Sequence, residues 1–298
     1  MKISVLICLY NSTPYIKETL DSVFAQTYSD FEVIAVDDGS TDGTYEFIKE
    51  NYADSRLKLF RKENEGLGKT RNFTMSKAEG EYFAFLDHDD LWMPEKLEYQ
   101  VKAIEAKDKS PYIVFSDHQN IDSQGNVMSK GAEIASKKLN LKGNLFQAIL
   151  TYGNFIGLSS VMINRKIYEA GTLFNDYKIA EEYEVWLKIA LKYPADFIYV
   201  PEILYSYRIH DNCVSVKNQE LAFNEQIIIL KELYDDSNSP SDRALCKTAI
   251  AEAMVHYSFW LAKKFKLYAA LTKLYDSLLM DPFIIFKRFI PNLVRKVF

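Results

Sequence analysis

Three carboxylates fall within four residues at Asp87-His88-Asp89-Asp90, directly after the apolar run 81–86. At that spacing they repel one another unless something positive sits among them. Clustered carboxylate oxygens suit Mg2+ or Mn2+, and such ions commonly bridge to substrate phosphates. Taken alone, the cluster reads more simply as a solvated acidic turn that caps the helix starting at Pro94. A second acidic strand end, Asp37-Asp38-Gly39-Ser40, tips the balance toward chemistry. There Ser40, Thr41 or Asp42 caps the next helix, and Asp37 is placed to hydrogen-bond a nucleobase or ribose. Gly66-Leu67-Gly68-Lys69-Thr70-Arg71-Asn72 sets two glycines at a helix start with two cations one turn in. It lacks the spacing of a P-loop, and Arg71 suits either a phosphate or a neighbouring carboxylate. Glu181-Glu182 opens a helix carrying Trp186, where acids favourably oppose the helix dipole. Tyr207-Arg208-x-His210 reads equally as a structural arginine with a surface histidine or as a phosphate contact.

These clusters need elements to position them, and the first half of the chain supplies an alternation. Strands are predicted over 2–9, 31–36, 57–61, 81–86 and 112–117. Helices are predicted from Pro14 through Phe24, over 44–52, over 66–77 and over 94–106. The first helix takes Ser12 or Thr13 as N-cap and Pro14 at its first position. Unalternating apolar strands interleaved with helices predict an α/β fold, a mostly parallel sheet covered on both faces. Ligands of such sheets bind beyond the carboxyl ends of the strands. The polar clusters at 10–12, 37–44 and 87–90 all follow strand ends, so they share one crevice. Further on, 123–126 reads as a hairpin turn, 159–163 as a core strand and 181–192 as a helix. From about residue 217 only helices are expected. The domains predicted are 1–216, with a nucleotide-sugar half at about 1–118 and an acceptor half at about 119–216, and a helical region at 217–298.

Composition excludes several classes. The 298 residues are 48% hydrophobic and 26% charged, an ordinary globular balance. The net charge of −5 gives no chain-wide field that points at nucleic acid. Its distribution is uneven: residues 261–298 hold eight Lys/Arg against two acids. Cys8, Cys213 and Cys246 are far apart and form no C-x-x-C pair, which points to a reducing, cytoplasmic setting. The opening residues do not read as a signal peptide. The charge-free stretch 143–164 is interrupted by Asn144, Gln147, Gly153, Asn154 and Gly157, so it reads as helix, loop and buried strand rather than a membrane span.

Together the motifs resemble the family 2 glycosyltransferases of the GT-A fold, of the bacterial surface-polysaccharide type. The resemblance runs over roughly residues 2–216. It rests on Ser4-Val5-Leu6-Ile7-x-x-Tyr10-Asn11, Val36-Asp37-Asp38-Gly39-Ser40-Thr41-Asp42-Gly43-Thr44 and Asn64-x-Gly66-x-Gly68-x-x-Arg71-Asn72. It continues through Phe85-Leu86-Asp87-x-Asp89-Asp90-x-Trp92-x-Pro94-x-Lys96-Leu97, Glu181-Glu182-Tyr183-Glu184-Val185-Trp186-Leu187 and Tyr207-Arg208-x-His210, in the family's order. It implies inverting transfer of a sugar from a nucleotide-diphosphate donor, UDP most commonly, to a hydroxyl of a glycan or lipid-linked acceptor. It implies a donor-binding set of Tyr10, Asn11, Asp37, Asp38, Gly66, Arg71, Asp87, His88, Arg208 and His210. The metal, Mn2+ or Mg2+, falls to Asp89 with Asp87, and the general base to Glu182, with Glu181 as the fallback.

Two positions depart from the family pattern. Cys8-Leu9 stands where Pro-Thr is usual, and Glu181-Glu182 where Glu-Asp is usual, which lengthens the base by about one C–C bond. Two alternatives compete. A sugar-nucleotide nucleotidyltransferase needs its glycine loop directly after the first strand, where this chain has Tyr10-Asn11-Ser12. An inactive nucleotide-sugar-binding subunit would lack the metal acids or the base. The basic, apolar segment 261–298 either packs on the catalytic region or makes a peripheral contact at the inner face of the cell membrane.

Overall fold

The computed structural model describes residues 1–107, 111–130, 144–171, 173–211, 213 and 217–284. The chain divides into two units, Met1–Cys213 and Val214–Phe298. In the first unit, β1 (Ile3–Leu9), β2 (Phe31–Asp38), β3 (Leu57–Lys62) and β4 (Tyr82–Asp87) are parallel and lie in the order β3-β2-β1-β4. Between and after them run α1 (Ile16–Phe24), α2 (Thr44–Asn51), α3 (Leu67–Lys77) and α4 (Lys96–Glu105). Every residue of β2 is buried, and all of β1 except Cys8, so neither strand alternates. Both faces are covered, as an apolar parallel sheet requires. Register does the positioning. Leu9 of β1 pairs with Asp37 of β2, and Cys8 pairs with Asp87 of β4. The two acidic strand ends thus flank the end of one central strand.

The sheet continues with a change of direction. β8 (Met162–Asn164) runs antiparallel to β4 and to β6 (Ile113–Ile121), and β6 runs parallel to β9 (Phe197–Arg208). β5 (Leu91–Trp92) and β7 (Val127–Lys130) add antiparallel partners to β9 and β6. The fifth predicted strand therefore joins through a three-residue return strand and not beside β4. The 123–126 turn forms as expected: Asp122 accepts the backbone N–H groups of Gln124 and Asn126, and Gly125 takes φ +85°.

The charge-free stretch becomes α5 (Leu145–Tyr152), a short 3-10 turn and the buried β8. α6 (Arg165–Glu169) and α7 (Glu181–Lys192) complete the unit. Among the described residues no helix is long and apolar enough to cross a membrane. α1 starts at Ile16, later than Pro14, because the Thr13 hydroxyl donates to Asp42 instead of capping the helix.

The second unit contains α8 (Gln219–Asp236), α9 (Pro240–Lys263) and α10 (Leu267–Met280). Ser239 caps α9 by accepting the Asp242 N–H, with Pro240 at the first helical position. Residues 285–298, with much of the basic tail singled out above, lie outside the described residues.

Candidate active site

The loop after β1 is cross-tied to the turn after β2. Asn11 sits at φ +50°, a conformation asparagine tolerates better than most residues. From there its N–H donates to Ser40 Oγ (2.9 Å), and its Oδ1 accepts the Thr41 N–H (2.9 Å). Ser12 N–H donates to Thr44 Oγ1 (2.8 Å). Burial pushes the Asp42 carboxyl up, but hydrogen bonds from Thr13 and Thr44 outweigh it and hold the group at about 2. Behind these loops Asp37 is wholly buried. Its Oδ2 accepts the Ser40 N–H (3.2 Å) and faces Arg61 Nε (3.3 Å), while its buried Oδ1 has no hydrogen-bond partner among the described residues. Asp38 pairs with Lys62 (2.6 Å) and accepts the N–H groups of Glu65 and Gly66 (both 3.1 Å), fixing the approach to α3. Tyr10 stands half-exposed at the rim.

The second cluster gathers around Arg71, in the second turn of α3. Its buried guanidinium donates to Asp87 Oδ1 (3.2 Å) at the end of β4 and to Glu181 Oε1 at the start of α7, with its face over Phe174. Burial opposes the Arg71 charge, but Glu181 and Asp87 more than restore it and raise its pKa further. Asp87 goes the other way: burial raises its pKa despite Arg71, and Asp89 adds to the rise. Glu182 is pushed up to about 8. Burial is the main cause, with Arg71 working against it and the charges of Glu181 and Asp87 reinforcing it. Asn154 Nδ2 donates to Glu182 Oε1 (2.8 Å).

Asp89 Oδ2 meets His210 Nε2 at 3.0 Å, and the ligand atoms of Asp89, His210 and Cys213 all lie within 4.8 Å of one another. Asp90 turns away from this group. Its carboxyl accepts from Ser159 Oγ (2.6 Å) and from the Arg208 N–H (2.9 Å), tying β4 to β9.

Residues 4–170 match the model of Glycosyl transferase family 2. The chain belongs to the family 2 glycosyltransferases.

This membership removes the nucleotidyltransferase alternative. The glycosyltransferase is 33% identical over 216 residues to an uncharacterised glycosyltransferase of Rickettsia conorii, covering 72% of this chain and 35% of that protein. It is 28% identical over 234 residues to a chondroitin synthase of Escherichia coli, covering 77% of this chain and 32% of that one. The chain thus spans about a third of the length of these relatives. Its fold is that of S. aureus TarS 1–349, solved in complex with UDP, at a TM-score of 0.65 and 23% identity (90% of this chain, 75% of that one). It is equally that of a Pyrobaculum calidifontis mannosyltransferase solved with GDP-Man and Mn2+, at a TM-score of 0.66 and 19% identity (93% and 75%). The α/β architecture is therefore a GT-A fold.

In this glycosyltransferase Asp37 and Asp87 flank the end of β1, Arg71 joins Asp87 to Glu181 at the start of α7, and Asp89 meets His210 beyond β9. Besides Asp37, Arg71, Asp87 and His210, further members of the expected donor set are tied within the protein. Asn11 ties two loops and Asp38 anchors Lys62 and the Gly66 loop. His88 accepts the Thr19 hydroxyl on its carbonyl (3.0 Å). Arg208, expected at the donor, is almost wholly buried. Its guanidinium donates to the Asp89 carbonyl (2.7 Å), Glu18 (2.7 Å) and the carbonyls of Asp122 and Ser123, over the Tyr15 ring. Sequence reasoning missed Cys213 and Asn154. Cys213 carried a signal, a spacing of three from His210. Asn154 carried none, because it reaches Glu182 from a loop.

Proposed function

We propose that this glycosyltransferase is an inverting enzyme. It would move a sugar from a UDP-sugar to a hydroxyl of a glycan or lipid-linked acceptor during polysaccharide synthesis. The observation that carries the reading is the register that sets Asp37 and Asp87 on either side of the end of β1. On this reading Asp37 would serve the nucleotide, and Asp87 would stand between it and the cation and base residues that follow β4 and open α7. The orphan Oδ1 of Asp37 is a ready acceptor for a base or ribose donor, and Tyr10 offers a ring at the rim. TarS, crystallised with UDP and with UDP-GlcNAc, supports UDP as the nucleotide.

Asp89 and His210 supply an oxygen and a nitrogen at spacing that fits a divalent cation, and the neighbour solved with Mn2+ favours that ion. Cys213 Sγ is the softer third group, already bonded to the backbone of His210 and Arg208 (3.3 and 3.4 Å). When bound, the cation would offset charge gathering on the departing diphosphate. The remaining steps fall to the chain itself. Glu181 is committed to Arg71, so the proton acceptor is Glu182, oriented by Asn154. Its ionised carboxylate takes the acceptor hydroxyl's proton as that oxygen attacks the anomeric carbon opposite the leaving group. Arg71 holds Asp87 at the crevice and steadies the helix start that carries the base.

A thermal-shift panel of UDP-, GDP- and dTDP-sugars with Mn2+ tests the reading, because a donor that binds only the folded chain raises its melting temperature. A UDP-sugar should give the largest shift, and radiolabelled transfer from it then excludes an inactive binding subunit. A panel in which no nucleotide sugar shifts the transition would overturn the proposal.

A further inference from the structure

We propose that the second unit carries a docking surface for an anionic lipid bilayer, formed by Lys263-Lys264-Phe265-Lys266 and the outward stripe of α10. This inference does not rest on the catalytic reading.

Phe265 is the starting observation. α9 ends in a paired cap, with Phe265 N–H donating to the Ala262 carbonyl and Lys266 N–H to the Leu261 carbonyl (both 3.0 Å). That geometry forces residue 265 to a left-handed backbone, here φ +59°, where glycine is the usual occupant. A phenylalanine there strains the fold, and burial returns nothing, since Phe265 is 90% exposed. A strained, protruding aromatic side chain calls for a partner outside the chain.

α10 extends the surface. Tyr268, Leu271, Tyr275 and Leu279 recur at helical spacing on one face, and all are exposed, as is Leu267. Of the seventeen exposed large hydrophobic residues among those described, eight fall within 259–283, so the apolar surface is concentrated here.

Charge selects the occupant. Lys266 is tied to Glu220 (2.6 Å), and Lys263 and Lys264 flank the aromatic tip. Within 261–284 the charged residues are Lys263, Lys264, Lys266 and Lys273 against Asp276 and Asp281, a local excess of positive charge in a chain whose net charge is −5. Basic side chains around inserted aromatic and aliphatic groups match an anionic interface. No described helix can span a bilayer, so the contact is one that lies on the surface.

The test is flotation of the full chain with vesicles of phosphatidylcholine alone and of phosphatidylcholine with phosphatidylglycerol. The expected result is flotation with the anionic vesicles at low salt, release by added salt, and none with the neutral vesicles. Phe265→Gly should weaken vesicle binding by roughly tenfold, through the lost apolar insertion, while raising the melting temperature because the left-handed strain is gone. Lys263→Glu with Lys264→Glu should abolish flotation. Absence of wild-type flotation, or equal flotation of Phe265→Gly, would overturn the proposal. A concentration-dependent dimer that Phe265→Gly dissolves, without any flotation, would assign the surface to a second copy of the chain instead.

Discussion

The two sides of the crevice handle their acids in opposite ways. On the nucleotide side Asp38 pairs with Lys62, and Asp42 is held at about 2 by hydrogen bonds from Thr13 and Thr44. On the proposed reaction side Asp87, Asp90 and Glu182 are crowded together, and desolvation with the charges of neighbouring carboxylates raises all three. On the first side the charges of Asp38 and Asp42 are already answered, and Asp37 keeps one free oxygen among the described residues. The second holds carboxylates whose charge the Arg71 guanidinium only partly offsets. On the proposed reading, the settled charges lie where the nucleotide would be gripped, and the electrostatic tension where the bond would be exchanged.

The largest expected effect lies on the tense side. Glu182→Gln keeps the shape and removes the proposed proton acceptor, so kcat should fall roughly 10²–10⁴-fold with little change in donor affinity. A folded pKa above the unfolded one means stability is lost as pH rises from the ordinary 4.5 toward about 8. Glu182→Gln should therefore flatten the decline of melting temperature across that window. Full activity of this variant would place the base elsewhere. Asp89→Asn should also cost most of the transfer activity, and nucleotide affinity should lose its response to Mn2+. Activity that survives excess chelator in the parent chain would contradict that expectation.

Glu181→Gln sharpens the contrast one residue away. It breaks a buried pair and leaves Arg71 under-compensated, so it should lower unfolding stability by about 3 kcal/mol. Denaturant titration reads the loss, and a variant as stable as the parent would show that the pair does not hold α7 to α3. Asn154→Ala should have the smallest effect. Its amide favours the ionised form of Glu182, so removing it moves the acid limb of kcat/KM to higher pH, and activity near neutrality falls a few-fold. A loss uniform across pH would instead mean a purely structural asparagine.

The β1–β4 region was legible because its signals are local. Apolar unalternating runs ended in Asp37 and Asp87, and strand register carried those acids to neighbouring positions without help from distant residues. Arg71 was readable as a cation at a helix start, but its commitment to Glu181, 110 residues away, was not. Arg208 was misplaced for the same reason. Its partners Glu18, Asp89 and Asp122 lie on α1 and in the turns after β4 and β6, more than 80 residues from it in sequence. β8 was readable as buried but not as a reversal of direction, since three residues carry no pattern that tells antiparallel from parallel.

One strap has a consequence for timing. The Asn72 side chain is bonded twice to the backbone of Phe174 (2.8 and 2.9 Å). A Cβ on Gly68 would sit 2.4 Å from the Asn175 carbonyl oxygen, and Asn175 itself holds Glu184 (2.7 Å). The start of α3 and the start of α7 are thereby laced together through residues 173–175. A ligand that settles against α3 would thus bear on Glu184 of α7, two residues from the proposed base Glu182. We expect a compulsory sequence of binding in which the nucleotide sugar enters first and the acceptor second. Product inhibition should then be competitive between the released nucleotide and the donor, and noncompetitive between that nucleotide and the acceptor. A random-order pattern would show that the lacing transmits nothing.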